Sequence, residues 1–331
     1  MTEFEAKPGA ITAVVIACCK SDFHLARLCA ASVRYRYPRI PIFLVKDLMR
    51  GPFSTAELER YWNVGILTTP ASVHGWGFAK LAAMFELPGE RLLILDADTV
   101  LTGDVLSVLE RHSEDLLVAG QTIPDPNDPE VRLFFDWPQL RSIDPAFAYP
   151  GLCFNSGQFV ANGGRLKKPD FAETILWTSP PTLKHPDVFF PGEQGVLNYV
   201  AAKQAQLGEI SLRSVDFGRW IGNPAVLAFT VETVAASGYP FVLHWAGPKP
   251  SSIRRMQRRD LLEFFESFYY SRIPHPELAR RWFGLRHAVA SAPENARKRI
   301  RKVEKWLRAL AKKALRRNAR LGLTALPSRR T

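Results

Sequence analysis

The stretch Arg91-Leu-Leu-Ile-Leu-Asp-Ala-Asp-Thr-Val-Leu101 constrains this chain more than any other. Leu92 to Leu95 form a continuous apolar run, which suits a strand buried on both faces, as in a parallel sheet. The run ends in two carboxylates, Asp96 and Asp98, separated by one small residue. Open α/β sheets place ligands at the C-terminal edge of their strands. Two carboxylates this close repel each other, and a divalent cation relieves that repulsion. Oxygen ligands suit Mg²⁺ or Mn²⁺. The plainer alternative is a polar turn after a strand, and the apolar run in front favours the metal.

The rest of the chain alternates strand and helix patterns. Ile11 to Ala17, Ile40 to Val45 and Gly65 to Thr68 read as strands, with helical periodicity over Phe23 to Arg34 and Ala56 to Trp62 between them. Gly75 to Glu86 reads as a helix leading into the Asp96 strand. Thr102-Gly-Asp104 opens another helix through Leu109, with Asp104 in its first turn. Such alternation predicts an α/β fold with a mostly parallel central sheet and helices on both faces.

Residues Gln121 to Gly151 hold six prolines and little periodicity. They read as a long loop, functional or mobile, that covers the site. Leu152 to Ala161 resumes as a strand carrying Asn155, Ser156 and Gly157. Phe171 to Trp177 and Glu193 to Lys203 read as helices, Glu209 to Val215 and Phe241 to Trp245 as strands. Leu261 to Tyr270 reads as an aromatic-rich helix docked on the body.

Composition sets further bounds. No apolar run approaches the roughly 18 residues of a membrane span. The opening MTEFEAKPGA is acidic and lacks a secretory apolar core. Cys18, Cys19, Cys29 and Cys153 have no metal-ligand spacing and lie in or beside apolar segments, as reduced thiols of a cytoplasmic protein do. The net charge of +12 is unevenly placed. Residues 276–331 carry 17 Lys/Arg and 3 Asp/Glu, whereas residues 1–275 carry 27 and 29. The expected division is therefore a near-neutral catalytic body, 1–275, and a basic extension, 276–331.

Several further segments carry candidate chemistry. Val242-Leu-His-Trp-Ala-Gly-Pro-Lys-Pro250 puts His244 at the end of an apolar strand, with Gly247 and Lys249 just beyond. Histidine is a borderline metal ligand and lysine neutralises phosphate; the alternative is a structural histidine before a turn. Asn155-Ser-Gly157 lies among apolar residues, where a buried amide must find partners. Pro191-Gly-Glu-Gln-Gly195 starts a helix, so Glu193 also suits its dipole. Lys80 lies one turn into the helix that leads to Asp96.

The order of these segments resembles the retaining family-eight glycosyltransferases, the group that includes glycogenin and bacterial lipopolysaccharide galactosyltransferases. The resemblance covers roughly residues 11–250 and rests on LLILDADTVL, CFNSGQFV and HWAGPKP. It implies a GT-A fold. It implies that Asp96, Asp98 and His244 hold a metal, usually Mn²⁺, on the diphosphate of a nucleotide sugar, UDP-linked in most of the group. It further implies that Lys249, in the loop with Gly247, contacts that diphosphate, that Lys80 reaches the donor and that Asn155 lies at the sugar. Gln194 matches a glutamine beside the anomeric carbon, and Glu193 stands where the group usually has Asp. Two departures are visible. Cys18-Cys19-Lys20-Ser21 replaces the acidic or amide residues usual after the first strand. The last motif is one residue shorter between glycine and lysine, and Ser251 follows its proline.

The resemblance implies hexose transfer to a glycan or lipid-linked acceptor, with front-face attack and retention of anomeric configuration. Two alternatives stay open. A sugar nucleotidyltransferase on a related fold usually carries a glycine-rich phosphate loop after its first strand, and Ala17-Cys-Cys-Lys-Ser21 has no glycine. A non-catalytic relative would use its basic tail to dock on membrane or nucleic acid.

In that tail, Ile300, Val303, Leu307, Leu310 and Ala314 form one apolar stripe of a helix expected over Ala296 to Leu321, with Trp306 near its edge. Basic residues fill the other faces. This pattern predicts a peripheral helix on the anionic inner face of the cell membrane, where each basic residue contributes about 1 kcal/mol. A helix packed on the body is the alternative. Nucleic acid is not expected as a partner, since the body is slightly acidic and shows no recognition motif.

Overall fold

The computed structural model describes residues 9–286 and 289, apart from residues 76, 190, 191 and 251. In chain order the first elements are β1 (Ala13–Cys19), α1 (Phe23–Arg36), β2 (Ile42–Asp47), α2 (Ala56–Trp62), β3 (Val64–Leu67) and α3 (Phe78–Glu86). Next come β4 (Arg91–Asp96), β5 (Thr99–Leu101), α4 (Val105–Leu109), β6 (Leu116–Thr122), α5 (Trp137–Ile143) and β7 (Leu152–Asn162). The series ends with β8 (Ile175–Leu176), β9 (Thr182–Leu183), α6 (Gly192–Gln206), β10 (Leu212–Ser214), β11 (Gly218–Trp220), α7 (Val231–Ala235), β12 (Val242–His244) and α8 (Arg259–Ser271).

Seven strands form the main sheet in the order β10-β6-β7-β4-β1-β2-β3. β1, β2, β3 and β4 run parallel, as do β6 and β10, and β7 runs antiparallel to both of its neighbours. The sheet is thus mixed and mostly parallel, as the alternating pattern predicts. The apolar run of β4 is buried along its length, from Leu92 to Leu95. Leu92 and Ile94 join Ala13 and Val15 in a core shared with Leu81 of α3 and Val196 and Leu197 of α6. A second core holds Leu25 and Leu28 of α1, Leu243 of β12 and Leu261, Leu262 and Phe265 of α8. The aromatic helix α8 docks as expected: Tyr269 stacks on Trp62 with ring centroids 5.1 Å apart, and Tyr35 meets Phe268 edge-on.

Several expectations need correction. The helix read as starting at Gly75 begins at Phe78, because Gly75 and Gly77 have φ of +69° and +87° and break it. Asp104 stands outside α4 as its cap, accepting from the Ser107 N–H. Gln121–Gly151 is no structureless cover: it contains α5 and a 3₁₀ turn, and it buries Val131, Phe134, Phe135, Leu140 and Phe147 in the core. Phe171–Trp177 is not a helix; a 3₁₀ turn ending at Phe171 precedes the short strand β8. Strands β5, β6, β8, β9 and β11 add to those read from sequence.

Cys18, Cys29 and Cys153 are buried, Cys19 is half-buried, and all four are free. No helix among the described residues is long and apolar enough to cross a membrane. The chain separates into two compact units after Ala279. Residues 276–286 of the extension are helical. The amphipathic helix expected over Ala296 to Leu321 lies outside the described residues.

Candidate active site

The site is built where β4 ends. After Asp96 the chain turns and leaves the main sheet as β5, the edge of a three-stranded sheet ordered β11-β12-β5. β5 pairs antiparallel with β12, and this pairing sets His244 opposite Thr99. The Trp245 N–H donates to the Asp98 carbonyl at 3.0 Å. A backbone ladder therefore stitches the Asp-Ala-Asp turn to a histidine nearly 150 residues later. Gly157 of β7 makes room for it: a Cβ there would lie 2.1 Å from His244 Cε1. Only glycine admits the imidazole at this separation.

Asp96, Asp98 and His244 each offer a ligand atom, and these atoms lie within 4.8 Å of one another. His244 Nε2 is 3.3 Å from Asp98 Oδ1 and 3.8 Å from Asp96 Oδ2. Adjacent ligands of a six-coordinate Mg²⁺-sized ion are about 3 Å apart, so a small contraction closes this set on one ion. Two carboxylates and an imidazole suit Mn²⁺ or Mg²⁺. The donor set therefore fits a divalent cation.

Each carboxylate gives its second oxygen to a lysine. Asp96 Oδ1 accepts from Lys80 Nζ at 2.8 Å, and Asp98 Oδ2 accepts from Lys249 Nζ. Asp98 is buried, which pushes its pKa up, but His244 and Lys249 hold it well below the usual carboxylate range. Lys249 is shifted the other way: burial lowers its pKa, and Asp98 more than offsets this. Gly247, just before it, takes a left-handed φ of +85°.

Lys80 is 2% exposed and all three of its protons have acceptors. Besides Asp96, they go to Glu193 Oε1 at 2.7 Å and the Ser156 carbonyl at 2.8 Å. Burial alone would lower its pKa, yet Asp96 and Glu193 raise it above the ordinary lysine value. In this structure the Lys80 ammonium is held by Asp96, Glu193 and Ser156. Glu193 is buried too and also accepts from Ser156 Oγ at 2.7 Å. Gln194, next to it on α6, accepts from Asn155 Nδ2 at 3.0 Å and the Ser156 N–H at 3.3 Å, while its own amide donates to the Leu133 carbonyl. Asn155 Oδ1 in turn accepts the Gly157 N–H at 2.8 Å.

The nine residues singled out from sequence thus gather around the ends of β4, β7 and β12 and the loop after β12. Ser156, named only within its segment, is the hub that joins Lys80, Glu193 and Gln194. Asp22 was missed. It precedes α1 beyond the end of β1, where burial raises its pKa and Lys249, Asp98 and Asp96 act on its charge. Cys19 Sγ is 3.2 Å from Asp22 Oδ2. Its position just past a buried parallel strand was the available signal.

No known family model matches the sequence, and no curated protein matches it. Solved structures give distant likenesses. The chain is similar to the bifunctional glycosyltransferase WbbM in its apo form at 14% identity and a TM-score of 0.49, over 82% of this chain and 52% of that one. It is similar to the galactosyltransferase LgtC in complex with donor and acceptor sugar analogs at 18% identity and 0.49, over 81% and 98%. The apo form of the glycosyltransferase GlyE of Streptococcus pneumoniae TIGR4 gives 15% and 0.44, over 83% and 63%. The chain spans less than two thirds of the length of WbbM and of GlyE.

Proposed function

We propose that this chain is a metal-dependent glycosyltransferase of GT-A type, moving a hexose from a nucleotide-diphosphate sugar to a glycan or lipid-linked acceptor. The observation that carries this reading is the convergence of Asp96, Asp98 and His244, with Lys249 against Asp98, at the C-terminal edge of a mostly parallel sheet. The order of the sequence motifs supports it independently. Asp96, Asp98 and His244 would hold Mn²⁺ or Mg²⁺, which as a Lewis acid supplies charge stabilisation at the donor diphosphate.

The chain's own residues do the rest. Lys249, which pairs with Asp98 in this structure, would direct its ammonium at the donor diphosphate. There it opposes the negative charge that grows on the leaving oxygen as the sugar becomes oxocarbenium-like. Asn155 and Gln194 present amide groups beside the site and orient the sugar. Glu193, neutralised by Lys80, holds Ser156 and the start of α6 in place rather than acting as a nucleophile. No carboxylate is an obvious double-displacement nucleophile, and front-face attack by the acceptor hydroxyl with retention is what the resemblance to the retaining group implies. The basic extension holds the enzyme at the anionic inner face of the membrane.

The test is a screen of UDP-, GDP-, ADP- and dTDP-hexoses with Mn²⁺ and a panel of soluble glycosides, following nucleoside diphosphate release. Release from at least one donor, abolished by chelation, supports the reading. Purified protein that cleaves none of them, with or without metal, contradicts it.

A further inference from the structure

Trp220 closes β11 and stands in register with His244 on the adjoining strand. Paired residues leave the same face of a sheet, with backbones about 5 Å apart. Gly218, two residues earlier and so on that same face, looks toward the main sheet: a Cβ there would lie 2.6 Å from Ala119 Cβ and 2.6 Å from Gln158 Nε2. The face that carries Trp220 is therefore the one turned to β6, β7 and the metal-ligating group. The indole lies on Gly222, where a Cβ would come within 2.3 Å of ring atoms Cζ3 and Cη2. Backbone thus supports one face of the ring, yet the residue is 58% exposed, whereas Trp62 and Trp245 are buried. A single exposed aromatic is ordinary on a protein surface. One propped flat on a glycine, next to His244, is a prepared platform.

We propose that Trp220 is the stacking surface for the acceptor sugar. A pyranose ring has one face rich in C–H bonds, and these carry slight positive charge. The π-face of indole is negative, so the two stack, with apolar area removed from water on both sides. Stacking presents the ring's rim hydroxyls toward His244 and the donor site. It reads the shape of a sugar face, so the partner is a hexose unit at the end of the acceptor. This inference rests on the transferase reading of the neighbouring site.

The test uses methyl hexopyranosides, lactose, cellobiose and maltose as probes with the full chain, UDP and Mn²⁺. Saturation-transfer NMR on wild type should mark the ring C–H protons of at least one probe. Trp220→Ala should lose that signal and Trp220→Phe should keep most of it. In transfer assays Trp220→Ala should raise the acceptor KM about tenfold, with kcat at saturating acceptor close to wild type. Equal saturation transfer in Trp220→Ala and wild type overturns the proposal, as does the absence of any marked probe on wild type. If no donor is cleaved by wild type, the transferase reading fails, and the saturation-transfer contrast still decides Trp220.

Discussion

Lys80 and Glu193 face each other at 2.7 Å, both buried and both bound to Ser156. Removing one partner strands the other charge. Lys80→Met leaves Glu193 and Asp96 without their cation, and the expected loss of unfolding free energy is about 3–5 kcal/mol. The double variant Lys80→Met/Glu193→Gln should recover part of that loss. Urea denaturation checks both. A single-variant loss below about 1 kcal/mol would show that the pair is not the buried clamp described.

Gly157→Ala introduces a methyl where the His244 ring now sits. Overpacking of this kind costs about 1–3 kcal/mol, and the imidazole is the group that must move. The variant should therefore bind Mn²⁺ more weakly in an electron paramagnetic resonance titration, by tenfold or so if the histidine is displaced. Wild-type affinity in a folded Gly157→Ala protein would separate His244 from the metal site.

These pairings show where sequence reading succeeds and where it stops. The buried run of β4 and its two carboxylates were legible, because apolar continuity and an abrupt acidic end are local signals. Helix α2 was legible to the residue, Ala56–Trp62. Strand β6 was not: it directly precedes a proline-rich stretch that dominates the local pattern. Helix α5 hid for the same reason, although Pro138 lies in its first turn, where proline is tolerated. Phe171 and Ile175 have helical spacing, but Phe171 ends a 3₁₀ turn and Ile175 enters a strand, and both are buried. The full saturation of Lys80 was beyond any local signal, since its partners lie on β4, β7 and α6 and meet only through the sheet order.

Asp115 ties the start of β6 to the segments around β7 and β10. It accepts from the Ser211 N–H and hydroxyl at 2.9 Å each and from Asn162 Nδ2 at 3.1 Å. Burial raises its pKa, but these bonds and Arg165 outweigh burial and lower it. A lowered folded-state pKa stabilises the fold above the unfolded value, about 3.9. That contribution fades as pH falls through the folded value. Wild type should thus exceed Asp115→Asn in stability at neutral pH, with the gap closing in acid. A gap that stays constant down to about pH 2 would contradict this assignment.

A chain ending at residue 293 keeps every segment of the candidate site and loses most of the basic extension. It should retain turnover on soluble acceptors. Its sedimentation with phosphatidylglycerol vesicles should drop sharply, while binding by the full chain should weaken with salt as exposed charges are screened beyond about 8–10 Å. Equal vesicle binding by both chains would remove the membrane from the account.

The central claim is that Asp96, Asp98 and His244 hold one divalent cation. Mn²⁺ titration by electron paramagnetic resonance in the presence of UDP, on wild type beside Asp98→Ala and His244→Ala, tests it directly. The account predicts a single bound ion in wild type and an affinity at least about tenfold weaker in each variant. Identical titrations for all three proteins, each still folded, would contradict it.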